Sequence, residues 1–236
     1  MSIHDALENI DRETGKDLSL EYFKESKDFP GSGQYSGAHF ETLGGAPTPK
    51  NEVTAVDLLA VQTLSVKISG RAAIGILETH ASKISALLER IDPELRLESI
   101  ESEEKFEKEL GPNSPALELW YLLTRRDPEL PRWNIGPTTA SKIMARKRPH
   151  LIPIEDKIVN RAIRLGKKNS WRMWWEELRA DGCLLDRATE VKHHLEQSTE
   201  AKIRLKGAEL STLRALDIVL WMSGRPKDPA KRAKKM

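Results

Sequence analysis

The chain of 236 residues holds one cysteine, Cys183. That excludes an intramolecular disulfide, a cysteine-held iron–sulfur cluster and a four-cysteine zinc site. No apolar run reaches the roughly 18 residues that a membrane-crossing helix needs, so no membrane partner is expected. The opening segment MSIHDALENIDRETGKD is acidic and has no apolar signal core. Adjacent His193 and His194 cannot share a helix face, which argues against a metal site there. Neither a metal nor a cofactor is expected. These absences describe a soluble cytoplasmic protein.

Nucleotide-binding loops are missing too. GSGQYSG in residues 31–37 matches neither GxGxxG nor GxxxxGK[ST], and no apolar strand precedes it. It lies in residues 29–50, which hold five glycines and three prolines and read as loop. No segment alternates over a strand's length, and no repeat recurs at solenoid spacing.

What remains is helical periodicity. Val56, Leu59, Ala60, Leu64 and Ile68 form one apolar stripe, with Gly70 as a stop. Ala73, Leu77, Ala81, Ile84, Leu88 and Ile91 form a second, ended by Asp92-Pro93. Residues 94–109 read as an acidic, solvent-facing helix. SPALELWYLLTRR opens on an N-cap signal, Ser114 before Pro115, and is apolar nearly all round. LSTLRALDIVLWMSGR is equally apolar and stops at Gly224 and Pro226. Both predict central core helices. Trp171, Trp174 and Trp175 at i, i+3 and i+4 predict a core stripe rather than a stacking platform. The fold class is therefore all-α, a helical bundle over residues 51–225, with a loop-rich extension at 1–50 and a basic tail at 226–236.

Net charge is only +2, but its distribution is uneven. Residues 98–109 carry six acids against two lysines, whereas residues 125–172 carry thirteen bases against four acids. A polyanion would meet the middle of the chain, and the tail RPKDPAKRAKKM with it.

Within the basic region, WNIGPTTASKIM has the composition of a turn that cradles a phosphate. Asn134 tolerates a left-handed conformation, Ile135 would plug inward, Gly136 is free of bulk, and Pro137 suits a first helical position. Ala140 would allow close helix packing. The helix that follows offers free N–H groups and a positive dipole end. Lys142 and Arg146, spaced i, i+4, with Lys147 and Arg148, would extend phosphate contact along the helix. Trp133 is the candidate for a groove contact, and His150 a weaker one for a polar contact in a pocket.

NIGPTTA resembles the hairpin of the helix-hairpin-helix motif, G-hydrophobic-G-x-x-T-A. The likeness continues through LIPIEDKIVNRAIRLG, which is similar to the segment of helix-hairpin-helix DNA glycosylases that delivers an aspartate to a helix start. Residues 115–166, about a fifth of the chain, carry it. The resemblance implies a duplex-DNA partner and a glycosylase-like bundle. Asn134, Ile135, Gly136, Thr138, Thr139, Lys142, Arg146, Lys147 and Arg161 would then serve DNA binding, and Asp156 would be the catalytic carboxylate. The lysine that bifunctional members carry two residues after the second glycine is Thr138 here, so no amine stands there to form a Schiff base. YSGAHFETLGG and ARKRPHLIPIEDKIV also resemble an actinobacterial family of this type, a likeness that implies no activity.

An enzymatic expectation is a monofunctional N-glycosylase of base excision, in which Asp156 stabilises positive charge on the sugar and Arg161 fixes its direction. The alternative is a non-catalytic DNA-binding module in regulation or defence, in which Asp156 is only an N-cap. DNA binding would place the protein at the nucleoid.

Overall fold

Capping side chains punctuate the chain into thirteen α-helices among the residues that this computed structural model describes, 2–125, 132–180 and 182–226. No β-strand forms among them, only an isolated bridge between Glu25 and Gly33. The all-α class stands. The tail 227–236 lies outside the described residues.

α7 (Pro115–Thr124) starts where Ser114 accepts the Leu117 N–H at 3.1 Å, with Pro115 in the first turn. It ends at Arg125 in the left-handed region, φ 48°. α13 (Thr212–Gly224) starts where Ser211 accepts the Arg214 N–H at 3.1 Å, and every residue from Thr212 to Leu220 is buried. A helix apolar on all sides needs cover on all sides. α2 (Arg12–Phe23), α9 (Lys157–Ala162) and α11 (Cys183–Gln197) supply it. Gly224 permits the approach of α9, because a Cβ there would meet Ile158 Cγ2 at 2.8 Å. α12 (Thr199–Leu205) packs on α2 and α11.

A second group gathers around α7. α8 (Pro137–Lys147), α5 (Ala81–Glu89) and α6 (Glu103–Leu110) pack against it, and α3 (Ala55–Gln62) packs against α8. α10 (Ser170–Ala180) lies against the 97–99 turn, α11 and α1 (Ile3–Glu8). Its three tryptophans are 2–4% exposed, core residues as the stripe predicts.

Four segments differ from the sequence reading. Gly70 does not stop a helix; it opens α4 (Gly70–Ile74), because Ser69 accepts the Ala72 N–H and caps it. The second stripe is broken by a π turn at Gly75–Thr79 before α5 begins. Residues 94–109 are only partly helical, and Leu97, Ile100 and Phe106 are buried under the acidic surface. The sequence set residues 1–50 apart as an extension; in the structure Ile3, Leu7, Tyr22, Phe23 and Phe40 are buried in the common core.

Candidate nucleic-acid interface and the buried polar cluster

The turn before α8 takes the shape its residue types predict. Asn134 is left-handed at φ 58°, Ile135 is buried, and Gly136 and Pro137 are exposed. Gly136 caps α8 without a side-chain acceptor, and a Cβ there would meet nothing within 4 Å. The backbone N–H groups of Gly136 and Thr138 find no acceptor among the described residues. Thr138 is half-buried, whereas Thr139 is buried. A concave surface opens here, lined by Thr124, Arg125, Arg132 and residues 133–136.

Residues 132–136 are not helical and α7 ends at Thr124; residues 126–131, where a helix preceding the turn would fall, lie outside the described residues. One expectation for this region fails. Trp133 is 4% exposed and makes no groove contact. Its indole fits over Gly75, where an added Cβ would lie 2.3 Å from the ring, and it packs against His80 and beneath Arg125. Trp133 anchors the turn to the π turn.

The basic face of α8 is the larger correction. Lys142, Arg146, Lys147 and Arg148 share a region of the helix, but they point into the protein. Lys142 Nζ donates to the Leu64 carbonyl at 2.8 Å and to Asp156 Oδ2 at 3.2 Å. Arg146 donates to Asp57 Oδ1 and to the carbonyls of Phe40 and Glu41. Lys147 donates to Asp57 Oδ2 at 2.9 Å and to Thr48. Arg148, 1% exposed, is ringed by the carbonyls of Ile91, Lys50, Leu88 and Lys147 and by Asn51. These cations cross-link α8 to α3 and to the 40–51 loop. Their burial leaves no surface for a phosphate, so Lys142, Arg146 and Lys147 do not supply the contacts that the sequence assigned to them.

Burial pulls the Lys142 and Lys147 ammonium groups below the ordinary lysine value, although their carboxylate partners work the other way. Asp57 is lowered too, but for a different reason. Burial pushes its carboxyl up, but hydrogen bonds from Thr48, the Thr54 N–H and Lys147 outweigh that and hold it low. Lys147 is thus lowered by burial while its partner Asp57 is lowered by hydrogen bonding and charge. The geometry decides: both are 5% exposed or less and 2.9 Å apart, so the pair is ionised and serves to fix position.

Exposed positive charge lies one element further on. Lys157, Arg161, Arg164, Lys167 and Lys168 are exposed, and residues 157–168 contain no acid. None of the five makes an ion pair among the described residues. Lys157 and Arg161 share a face of α9. Arg161 therefore does not orient Asp156. That task falls to Lys142, which the sequence had assigned to phosphate.

Asp156 is the N-cap of α9; its Oδ1 accepts the Ile158 N–H at 2.8 Å. The start of α9 is clipped to α8 by Ser141, whose Oγ accepts the Glu155 N–H at 2.9 Å. The Asp156 side chain is 20% exposed, and it lines neither the concave surface at the turn nor the cavity beside α13. Among the described residues the Glu155 side chain next to it has no partner, and burial pushes its carboxyl up to about 7. His150 lines neither of these two either; burial pulls its imidazole down, and its Nδ1 has no partner among the described residues.

A second cluster surrounds Arg214 on α13. Its guanidinium donates to Glu41 at 2.9 Å, Asp217 at 2.6 Å, the Tyr22 hydroxyl at 2.7 Å and the Gly37 carbonyl. Burial alone would lower Arg214, but Tyr22, Glu41 and Asp217 outweigh it and keep it charged. Burial drives Tyr22 up to about 12 and Asp217 up to about 6, the latter against the pull of Arg214. Composition gave no signal for this cluster, because Tyr22, Glu41 and Arg214 are far apart in the chain.

Fold and site together define an all-helical protein with an open, glycine-capped helix start beside exposed bases and a core tied by buried ion pairs. Residues 16–224 match a family of unknown function, DUF6308, and the chain belongs to that family. Neither curated proteins nor solved structures give a match. Among the described residues no helix is long and apolar enough to cross a membrane, and no group of three metal-ligating side chains converges.

Proposed function

We propose that this protein binds duplex DNA through a helix-hairpin-helix-like element, without the contribution of the α8 lysines and arginines. The observation that carries the reading is the turn itself. With Asn134 in the left-handed region and Gly136 exposed, the N–H groups of Gly136 and Thr138 have no acceptor among the described residues and could meet a phosphate. Exposed Arg132 and the acid-free basic run 157–168 supply the charge that a polyanion needs. The structure favours the non-catalytic form of this reading, because Asp156 is committed to Ile158 and Lys142. Base excision at Asp156 is the second reading. Its support is the ammonium of Lys142 beside a carboxylate that remains one-fifth exposed.

Gly136→Glu tests the proposal cleanly. The site has room for a side chain and its φ of −90° suits any residue, so the fold should survive. The new carboxylate would stand where the phosphate is proposed to sit. Fluorescence anisotropy on a labelled duplex should show binding that weakens steeply with salt and is lost in the variant. Arg161→Gln should lower the slope of log K against log salt by about 0.9, the value of one phosphate contact. Absence of binding by the native chain at low salt would reject the proposal. Base release from a lesion panel that disappears in Asp156→Asn would establish the catalytic reading instead.

A further inference from the structure

A cavity of about 150 Å³ lies between α8 and α13. Phe40, Ile152, Ile154 and Leu213 give it apolar walls, and Arg146 and Arg214 line it as well. A volume of about 150 Å³ admits a single benzene-sized ring.

Both guanidinium groups are buried, yet neither has spent all its donors. The Arg146 side chain is 8% exposed. Its Nε donates to Asp57, and its Nη1 to the carbonyls of Phe40 and Glu41. Nη2 carries two more hydrogens, and they meet no acceptor among the described residues. Nη2 nevertheless keeps accessible surface, unlike Arg204 Nε and Arg225 Nη1, which are buried without a partner. Phe40 and Glu41, which grip this guanidinium, line the cavity themselves, so the free nitrogen stands at its wall. Arg214, 7% exposed, keeps one Nη1 hydrogen beyond the one given to Asp217. The Ser211 hydroxyl, also in the wall, accepts the Arg214 N–H and passes its own hydrogen to no described acceptor.

The carboxylates nearby do not answer these donors. Glu209 pairs with Arg96 at 2.8 Å. Glu41 Oε1 and Asp217 Oδ2 accept from Arg214, and their second oxygens have no accessible surface and so do not face the cavity. What remains at the wall is donor hydrogen on cations, beside an apolar hollow. A donor left over in a side chain more than nine-tenths buried is costly unless something accepts from it.

We propose that this cavity binds a small carboxylate with an apolar body of one-ring size, its oxygens on Arg146 Nη2 and its body against Phe40, Ile152, Ile154 and Leu213. Guanidinium–carboxylate hydrogen bonds are roughly twice as strong as neutral ones, and apolar walls suit the rest of the ligand. A cation would meet Arg146 and Arg214, and a free phosphate would leave the apolar walls uncovered. The cavity is too small for a duplex and involves none of the turn residues 132–138, so the site stands independently of DNA binding.

The test uses the full chain at pH 7.5 with labelled isoleucine and leucine methyl groups. Benzoate, benzamide and acetate are titrated separately at constant ionic strength and followed by NMR. Benzoate should give saturable shifts at Ile152, Ile154 and Leu213. Benzamide has the shape without the charge, and acetate the charge without the ring; each should bind at least about tenfold more weakly. Arg146→Lys keeps a positive charge but removes Nη2, so it should weaken benzoate about tenfold while still melting cooperatively. Failure of benzoate to saturate, equal binding of benzamide or acetate, shifts confined to other methyls, or undiminished binding by folded Arg146→Lys would overturn the proposal. If Arg146→Lys does not fold, the comparison of the three probes on the native chain still decides.

Discussion

Replacing Asp57 by asparagine strikes the point where α3, α8 and the 40–51 loop are tied together. The carboxylate, 1% exposed, accepts from Arg146, Lys147, Thr48 and the Thr54 N–H, the last as part of the capping box of α3. Asparagine keeps the shape and one acceptor, but its amide places N–H groups against two buried cations. Breaking a buried ion pair by removing one partner costs about 3–5 kcal/mol. For a domain of this size that corresponds to a fall in Tm of about 6–20 °C. Urea unfolding followed by circular dichroism at 222 nm would measure the loss as a drop in midpoint at constant slope. Lys147→Met in the Asp57→Asn background removes the stranded ammonium, so the double variant should be more stable than the sum of single losses predicts, by about 1–3 kcal/mol. The native pair should also mark the acid limb. Asp57 is held low in the folded state, so its contribution is present above the ordinary carboxylate value and is lost as pH falls through the lowered one. A loss below about 1 kcal/mol in Asp57→Asn, with no coupling to Lys147, would refute the claim that this cluster cross-links the fold.

Two further outcomes follow from single side chains. Glu155 is raised to about 7 by burial, so the folded state holds its proton longer than the unfolded chain, and stability should fall as pH rises from about 4.5 through about 7; urea midpoints across that window should decline less in Glu155→Gln, while the remaining decline, up to about 6, belongs to Asp217. Gly75→Ala would drive a methyl into the Trp133 indole, so a cost of about 1–3 kcal/mol and loss of DNA binding through a displaced turn are expected; a calorimetric melt unchanged from native would show that Trp133 does not lock onto the π turn.

Helical periodicity exposed the cores of α5, α7 and α13, because a buried stripe needs only local spacing to be seen; it misread α3, where Leu58 and Val61 are buried, Leu59 is 56% exposed, and Leu64 and Ile68 lie beyond the helix end at Gln62. The turn at 134–136 was legible for the same kind of reason: Asn, a buried isoleucine and Gly each have a narrow set of backbone or burial uses. Two features defeated that reasoning. Gly70 looked like a stop because nothing in its own neighbourhood says that Ser69 will cap a new helix. The basic run of α8 looked like a surface because charge counts give no direction. Lys142 and Arg146 do share a face, as i, i+4 spacing requires, but the face turns inward.

What turns it is a set of acceptors remote in the chain. Asp57 is 90 residues from Lys147, the Phe40 carbonyl is 106 from Arg146, and the Leu64 carbonyl is 78 from Lys142. Most of these acceptors are main-chain carbonyls, which every residue type carries, so composition holds no trace of them. Consequently the same sequence segment divides into two roles. Where carbonyls of the 40–51 loop are within reach, bases are structural cross-links; past Asp156, where residues 157–168 have no acids and no such loop above them, bases face solvent. The boundary falls at the N-cap of α9, and Asp156 marks it by pairing with buried Lys142 rather than with exposed Lys157. On the DNA-binding proposal, a footprint should therefore run across the turn and α9, and the salt slope should respond to Arg161 and not to the interior cations of α8.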